Sequence, residues 1–403
     1  MEEPSTGINR DSVPLDPESI LYIHGYPFFG CILRYHSWIL DCLFQPDDMV
    51  IEQRPYSSRS IFVWGPSYFV DKPETFLFRG FRQTVGVCRS RLEIYGMSLR
   101  KASEDFVQSI KAAGKGGFYK FPIQQVSFQQ YLDEVKYIIE NKIFTHKGSF
   151  DNLRDYLLSI DLSIDEQDQI AHLYCLLAMV PDNAVVEYDL TEISTGDGAM
   201  FDQIVPKVRE KIIVLTEGKT DAEFIQGALK LLYPHLLPYF QFINLAEYII
   251  ERNASALVNL VLSFAAAGVK HPIVALFDND TTGISEMDRT HLDTLPTNIK
   301  VLKLPDIPIA ERYPTIGPTG LNEMNINGLA CGIELYLGVD ILTQQDGLAP
   351  IIWTGYNHKK QKYQGELKDK GIIQQSYREK LIRRKGDFSE MDTILRTIFR
   401  AFI

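Results

Sequence analysis

Two stretches of the sequence share one order: an apolar run, then a carboxylate, then the start of a helix. In the first, residues 212–215 are apolar and mostly β-branched, as expected for a strand buried on both faces. Glu217 and Gly218 follow shortly, and Thr220 and Glu223 have the spacing of a capping box at a helix start. This stretch therefore predicts a buried strand that leads through an acidic turn into a helix.

The second stretch repeats this order with residues 272–277, which end in Asp278-Asn279-Asp280 and a polar helix start. In an open parallel sheet, ligands collect beyond the carboxyl ends of the strands. Glu217, Asp278 and Asp280 are therefore predicted to converge on one crevice. Because three clustered carboxylates repel one another, a divalent cation is expected among them. Mg²⁺ suits such a site, since it takes carboxylate oxygens and keeps waters and substrate phosphates.

The two stretches together resemble the Toprim domain, which occurs in topoisomerases, bacterial primases, some rRNA-maturing nucleases, and the overcoming-lysogenization-defect and Gabija nucleases. The resemblance rests on Glu217-Gly218 and on the DxDxxG motif of Asp278 to Gly283. It implies an α/β fold for residues 206–340, with a Rossmann-like parallel sheet flanked by helices. The alternative is a doubly wound domain whose acidic residues only cap helices.

The resemblance also implies roles for the acidic residues. Asp278 and Asp280 are expected to be the principal ligands of Mg²⁺ or Mn²⁺, and Glu217 to bind a second ion or act as general base. Asp221 lies one helical turn after Glu217 and can reach the same crevice. The overcoming-lysogenization nucleases carry an acid at this spacing, so Asp221 is a further candidate ligand.

Two more residues are candidates for the same site. The Gabija and overcoming-lysogenization nucleases use another acid and a lysine downstream of the DxD motif, and Glu334 is the candidate for that acid. Lys219 is a further catalytic candidate, which we expect to contact a substrate phosphate. A solvated lysine is the alternative reading of Lys219.

The first hundred residues show a different pattern. Residues 20–29 predict a hairpin that turns near Gly25, and residues 59–64 predict a further strand. Residues 84–112 have helical spacing with a break at Gly96. The sequence therefore predicts an α+β domain that is separate from the parallel sheet.

The order of these segments resembles the N-terminal domain that accompanies Toprim modules in bacterial proteins named for HEPN/Toprim association. We assign this domain to residues 18–117, after a flexible segment 1–17 and before a helical connector, 118–205. Ribonuclease activity is not inferred from the name. HEPN ribonucleases use an Arg-x(4–6)-His motif, and no arginine of this sequence precedes a histidine at that spacing.

Composition limits the partners of the chain. Its net charge is −11 over 403 residues, so a surface that binds nucleic acid has to be local. We assign it to a basic helical extension, residues 341–403, with a solvated helix as the alternative. The candidate contacts to nucleic acid are Lys368, Arg378, Lys380, Arg383 and Arg384.

Composition also bears on compartment. No apolar run is long enough to span a bilayer, so no membrane partner is expected. The five cysteines are scattered without a CxxC pair, which argues against a zinc site and a disulfide framework. A reducing cytoplasm is therefore the expected compartment.

These features predict a Mg²⁺-dependent nuclease that hydrolyses DNA or RNA, with DNA favoured. The resemblance implies a bacterial anti-phage setting with an ATPase or another defence-system partner, since the chain has no Walker motif of its own. The alternatives are a Toprim nucleotidyl- or phosphotransferase and a non-catalytic interaction subunit. Homo-oligomerisation stays open.

Overall fold

The computed structural model of the 403-residue chain divides into two compact units, one up to Arg209 and one over Glu210–Phe402. Each unit has its own sheet and core and is described by itself. The structure describes residues 19–28, 37–113, 121–145, 151–164, 167–196, 201, 204–207, 210–243, 253–345, 347–358 and 360–403. The expected flexible segment 1–17 lies outside these residues.

The first unit contains an antiparallel sheet in the order β2-β1-β5-β4-β3. Its strands are β1 (Ile20–Ile23), β2 (Tyr26–Phe28), β3 (Met49–Pro55), β4 (Thr75–Thr84) and β5 (Val185–Asp189). The predicted hairpin is confirmed as β1 and β2. Gly25 forms its turn with φ +69°, a left-handed conformation that glycine adopts without strain.

Most helices of the first unit pack with the sheet around a core that extends from Leu21 to Ile204. The short helix Ile61–Trp64 instead contributes Val63 and Trp64 to a smaller cluster with Ile20 and Tyr68. The predicted break at Gly96 is also confirmed, because Gly96 has φ +89° between two helices. The helices are α1 (Ser37–Leu43), α2 (Ile61–Trp64), α3 (Val85–Glu93), α4 (Leu99–Ala113), α5 (Phe128–Glu140), α6 (Leu153–Ser159), α7 (Gln169–Ala178) and α8 (Thr191–Gly196).

Two expectations for this unit are wrong. Residues 59–64, expected as a strand, contain helix α2, because β3 already occupies the sheet edge beside β4. The segment 118–205 is not a separate helical connector. Its strand β5 pairs with both β1 and β4 inside the sheet, and its helices α5 to α7 contribute to the same core. The expected boundary at residue 117 is therefore not a boundary of the structure.

The second unit contains a parallel sheet in the order β10-β8-β6-β7, so the prediction of an α/β fold with a parallel sheet is confirmed. A second sheet has the order β12-β11-β16-β17. The strands are β6 (Ile212–Thr216), β7 (Phe240–Phe242), β8 (Ile273–Phe277), β9 (Asn279–Asp280), β10 (Ile299–Lys303), β11 (Tyr313–Gly317), β12 (Gly320–Met324), β13 (Ala330–Cys331), β14 (Thr343–Gln344), β15 (Gly347–Leu348), β16 (Ile351–Asn357) and β17 (Lys362–Leu367).

The C-terminal residues 341–403 are not the helical extension that the sequence suggested. They contribute two strands to the second sheet, and β16 pairs with β11 in parallel. The helices of this unit are α9 (Lys219–Leu232), α10 (Ala254–Ala266), α11 (Thr281–Met287), α12 (Val339–Leu342), α13 (Lys370–Arg383) and α14 (Ser389–Phe399). Within the described ranges, no helix combines the length and the apolar character that a membrane crossing needs.

Candidate metal centre

The two acidic turns meet at the carboxyl ends of neighbouring parallel strands. Strand β6 pairs with β8 in register, with Thr216 opposite Leu276, so the residues after each strand lie at the same edge of the sheet. Glu217 reaches across this edge, and its Oε1 accepts a hydrogen bond of 2.9 Å from the backbone N–H of Asp278. The predicted convergence of these two acids is therefore present in the structure.

Asp221 lies at the start of helix α9, directly below the same turn. Its Oδ2 accepts a hydrogen bond of 2.8 Å from the backbone N–H of Gly218, as a carboxylate in the first helical turn commonly does. Burial raises the pKa of Asp221 to about 6, and the charge of Glu334 adds to the effect. Asp221 is thus part of the carboxylate group.

Burial and mutual repulsion also act on the acids between the strands. Burial is the main cause that raises the pKa of Glu217 to about 7, and Asp280 and Asp221 contribute as like charges. The pKa of Asp278 is raised well above its usual value, first by burial and then by Asp221 and Glu217. Burial and the other acids therefore oppose the ionised form of each of these carboxyls.

Asp280 caps helix α11 and is held from both sides. Its Oδ1 accepts a hydrogen bond of 2.6 Å from the backbone N–H of Gly283, as the first residue of a helix cap does. Its Oδ2 accepts a bond of 2.7 Å from Nε2 of Gln364 on strand β17. Gln364 also accepts a bond of 3.1 Å from the backbone N–H of Thr282, so it fixes the acidic loop at two points.

Glycines leave room for the carboxylates. A Cβ added at Gly283 would lie 2.5 Å from the carbonyl oxygen of Asp278 and 2.8 Å from Oε1 of Glu217. A Cβ at Gly332 would lie 3.1 Å from Oε2 of Glu334 and 3.5 Å from Oδ2 of Asp278. The last glycine of the DxDxxG motif is thus required by close packing.

Glu334 extends the group from the other side. It lies in the 3-10 turn Ile333–Tyr336 and is only 2% exposed. Its Oε1 accepts a hydrogen bond of 2.7 Å from Nε2 of Gln374 and lies 3.0 Å from Nζ of Lys370. Burial opposes the charged form of Lys370, but Glu334 and then Asp278 and Asp221 outweigh it and raise the pKa of the ammonium.

Sequence reasoning missed Lys370, Gln374 and Gln364. Lys370 and Gln374 lie on helix α13, one turn apart, where their spacing resembles that of any polar helix face. Gln364 lies on a strand that was expected to be helical. No local pattern links these residues to acids far away in the sequence, so only the tertiary structure reveals them.

The expected basic wall on α13 is largely taken up by internal ion pairs. Lys380 is 3% exposed, and its Nζ donates to the carbonyl of Leu337 at 2.8 Å, to Asp340 at 2.7 Å and to the carbonyl of Asp387. The expectation that Lys380 contacts nucleic acid is therefore wrong. The guanidinium of Arg378 binds both carboxylate oxygens of Glu223, at 2.6 and 2.9 Å.

The other basic candidates face solvent. Lys368, Arg383 and Arg384 are exposed, and Arg383 lies 3.0 Å from Glu379 in an exposed pair. Lys219 is exposed at the first position of helix α9. Their roles in substrate binding stay predictions.

Carboxylate oxygens are suitable ligands for a divalent cation, but these side chains are not arranged as a set of metal ligands. Over the residues that the structure describes, no three His, Cys, Asp or Glu side chains are oriented together as metal ligands. The reason is that Glu217, Asp221, Asp280 and Glu334 each direct an oxygen at a hydrogen-bond donor. The donors are nevertheless all carboxylate oxygens, the ligands that Mg²⁺ and Mn²⁺ prefer.

Comparison with known proteins bears on the first unit. No curated protein and no solved structure matches the chain. Residues 18–211 match the family model described as HEPN/Toprim N-terminal domain 1. The match includes both the segment 18–117 and the segment expected as a connector, in agreement with their common core. Residues 18–211 of the chain are therefore similar to the HEPN/Toprim N-terminal domain 1 family.

Proposed function

We propose that the second unit is a Toprim domain and that the protein is a metal-dependent nuclease. The observation that carries this proposal is the meeting of Glu217 and Asp278 at the ends of two neighbouring parallel strands, with Asp280 in the next turn. Such a group of acids, beyond the carboxyl ends of a parallel sheet, is suited to a ligand rather than to stability. The first unit supports the proposal, because its family is named for association with Toprim modules.

The acidic side chains would hold Mg²⁺ or Mn²⁺. Asp278 and Asp280 are the principal ligands in this proposal, with Glu217, Asp221 and Glu334 available around them. When bound, the ion supplies an activated water and neutralises charge on the phosphate. Glu217 either completes the ligand set or accepts the proton of the attacking water.

Lys370 supplies positive charge at the same place. Its ammonium lies beside Glu334, with the charges of Asp278 and Asp221 close enough to raise its pKa. A fixed cation beside the carboxylates can bind a nonbridging phosphate oxygen and stabilise the charge that develops there. Lys370 thus corresponds in role to the downstream lysine that the resemblance implies. Gln364 acts as a positioning residue, since it holds Asp280 and the following turn.

The test is a cleavage assay with Glu217→Gln. Plasmid, linear duplex, single-stranded DNA and structured RNA are incubated with the full chain in Mg²⁺, in Mn²⁺ and in EDTA. Wild type should cleave at least one of these substrates only with a divalent ion. Because glutamine is nearly isosteric but carries no charge, Glu217→Gln should reduce the rate by about 10²–10⁴-fold at an unchanged melting temperature.

The control is Glu323→Gln, a change on strand β12, at the opposite edge of the second sheet from β17. Glu323 is exposed and pairs with Arg312 at 2.9 Å. Glu286 is not a suitable control, because it is partly buried and its charge raises the pKa of Glu217. Cleavage by Glu217→Gln at the wild-type rate would refute the nuclease proposal. Metal binding without cleavage would favour the transferase or the non-catalytic alternative.

A defence setting with an ATPase partner belongs to the same proposal. It rests on the resemblance to Gabija and overcoming-lysogenization nucleases and on the HEPN/Toprim association of the first unit. Co-purification of the tagged chain from a bacterial host, followed by identification of bound ATPases, tests it. The proposal of a partner fails if the chain elutes alone while it remains active.

A further inference from the structure

The hairpin of strands β16 and β17 carries exposed aromatic side chains next to the acidic site. Tyr356 and Tyr363 are 44% and 53% exposed, and their ring centroids lie 5.1 Å apart. The ring of Trp353 lies 5.7 Å from that of Tyr363. We call these three side chains the aromatic face.

The strand register places the three rings on one side of the hairpin. Tyr356 lies opposite Tyr363, and Trp353 lies opposite Gly365, two residues further along β17; residues two apart on a strand share a face. Gly365 leaves space for the indole of Trp353, since a Cβ at Gly365 would lie 3.0 Å from Cε3 of Trp353. The face is therefore built into the sheet and is not a chance cluster on a loop.

The hairpin is fastened to the acidic loop. Between Tyr363 and Gly365, Gln364 points the other way and donates to Asp280 at 2.7 Å. The carbonyl oxygen of Tyr363 accepts a hydrogen bond of 2.7 Å from the hydroxyl of Thr281. The backbone of the hairpin is therefore held against the acidic loop, and the aromatic face lies on the side of the hairpin away from Gln364 and Asp280.

The charge of this segment is opposite to that of the chain. Residues 351–368 contain four lysines and one glutamate, whereas the whole chain has a net charge of −11. Lys362 is exposed at the start of β17, and Lys360 pairs with Asp288. The ring of His358 lies 5.2 Å from that of Tyr356. Aromatic rings are thus combined with local positive charge on an acidic protein.

We propose that the aromatic face binds single-stranded nucleic acid by stacking with its unpaired bases, on the hairpin that also holds the acidic loop. This inference rests on the proposed nuclease function and names its substrate class. Aromatic rings with nearby cations hold single strands without sequence preference, because every base has an exposed π-face. A duplex offers its phosphates but keeps its base faces covered. The excess of lysine favours a polyanion over a protein partner.

The first experiment measures binding without cleavage. The full chain with Glu217→Gln is kept in EDTA and titrated against labelled single-stranded DNA, single-stranded RNA and duplex DNA. Tyr356→Ala and Tyr363→Ala should each weaken single-strand binding by roughly 5- to 100-fold. Tyr356→Phe and Tyr363→Phe keep the rings and should stay within about twofold. Duplex binding should not distinguish these variants, and the DNA and RNA arms identify the strand preferred.

Tryptophan fluorescence gives a direct signal of stacking. The chain has three tryptophans, Trp38, Trp64 and Trp353. Only Trp353 belongs to the aromatic face, so addition of a single strand should quench the emission of Trp353. Trp353→Phe should abolish the quench and keep most of the affinity, because phenylalanine still offers a ring. Quenching that persists in Trp353→Phe would contradict contact at this face.

Salt dependence separates stacking from charge. Lys362→Gln should lower the slope of log affinity against log salt by about 0.7, the value for one phosphate contact on a single strand. Tyr363→Ala should weaken binding and leave the slope unchanged. If Lys362→Gln lowers the slope while Tyr363→Ala leaves the affinity unchanged, the hairpin contributes only charge and the stacking proposal is overturned.

The outcomes distinguish this inference from the proposed function. If the alanine variants bind single strands as tightly as their parent while wild type still cleaves with Mg²⁺, the stacking proposal fails and the nuclease stands. If no substrate is cleaved but the tyrosines govern single-strand binding, the nuclease fails and the stacking surface stands. If Tyr363→Ala only disperses a dimer in sedimentation, the face is a contact between copies and the proposal is overturned.

Discussion

Buried and half-buried carboxylates have different neighbours in the two units. In the first unit they lie beside arginines: Asp48 accepts a hydrogen bond of 2.5 Å from Arg91, and Glu187 lies between Arg54 and Arg82. In the second unit, the acids at the ends of β6 and β8 have other acids as neighbours. The charges of the first unit are therefore suited to hold the fold, and those of the second are suited to the metal ion that we propose.

The pKa values express this difference. Hydrogen bonds from Arg82 and Arg54 lower the pKa of Glu52 in the first unit. Burial and neighbouring acids raise the pKa of Glu217 to about 7 in the second. Since clustered acids with perturbed pKa values are more typical of functional sites than of structural ones, the comparison supports the site that we propose in the second unit.

The largest effect on stability is expected at the buried pair of the first unit. Arg91 is almost fully buried, and its guanidinium binds Asp48 and the carbonyl of Leu43. Arg91→Met should lower the free energy of unfolding by about 3–5 kcal/mol, because it leaves the charge of Asp48 buried without its cation. Calorimetry of the full chain measures the change.

The matched control is Arg100→Met. Arg100 is exposed and lies 3.6 Å from Glu104 in the same helix turn, so its loss should cost less than about 1 kcal/mol. Equal costs for the two variants would show that burial does not distinguish these pairs.

The second effect is stabilisation by metal, which only the second unit should show. A divalent ion at a hundred times its dissociation constant stabilises the folded chain by about 2.7 kcal/mol. Asp278→Asn should lose this gain. In EDTA the same variant should be more stable than wild type, because it removes a buried carboxyl whose ionised form is opposed by burial and by the neighbouring acids.

This reversal of sign is the sharpest test of the comparison. Arg91→Met should destabilise the chain equally with and without Mg²⁺, whereas Asp278→Asn should stabilise it in EDTA and destabilise it, relative to wild type, in Mg²⁺. If Asp278→Asn lowers the melting temperature in both conditions, Asp278 supports the fold and the metal assignment is wrong.

The sequence predicts the parts of the structure that depend on neighbouring residues. Strands β6 and β8 are continuous apolar runs, and their acids follow at once, so both the strands and the site at their ends can be derived. The turn at Gly25 and the helix break at Gly96 are local signals of the same kind. The candidate site is therefore predictable wherever its residues adjoin a recognisable strand.

Other parts depend on distant pairing and are not predictable in this way. Strand β5 enters the middle of the first sheet, where its partners β1 and β4 are far away in the sequence. Lys370 meets Glu334 only because α13 packs against the turn that carries Glu334. The burial of Lys380 follows from three acceptors on other segments, and nothing in its own helix distinguishes it from a surface lysine.

The third effect is the pH dependence of stability. It tests whether the first unit also has a titratable group, His172, whose charged form is opposed by burial. Burial lowers the pKa of His172 to about 4, and its Nδ1 lies 3.2 Å from the hydroxyl of Tyr131. In the unfolded chain, His172 binds a proton near pH 6.5. The stabilising contribution of the neutral His172 is therefore complete above pH 6.5 and is lost as the pH falls toward 4. His172→Gln should remove this part of the acid destabilisation.

The measurement is the free energy of unfolding of wild type and His172→Gln between pH 7 and pH 4. The difference in slope should be at most about 1.4 kcal/mol per pH unit, the value for one proton. Parallel curves would show that His172 titrates normally in the folded chain.

The smallest effect is expected at Lys219, and it compares two lysines of the second unit. Lys219 is exposed at the start of α9, whereas Lys370 lies 3.0 Å from Glu334 within the acidic group. Because solvent screens an exposed ammonium, Lys219→Gln should change kcat/KM less than about threefold, against at least tenfold for Lys370→Gln, which removes a fixed charge at the site. Lys219→Gln should keep the wild-type free energy of unfolding within about 0.5 kcal/mol, as surface substitutions do, whereas Lys370→Gln should lower it, because it leaves the buried Glu334 without its cation. Equal losses in kcat/KM would mean that Lys219 contacts the substrate and that position beside the acids does not decide which lysine serves the reaction.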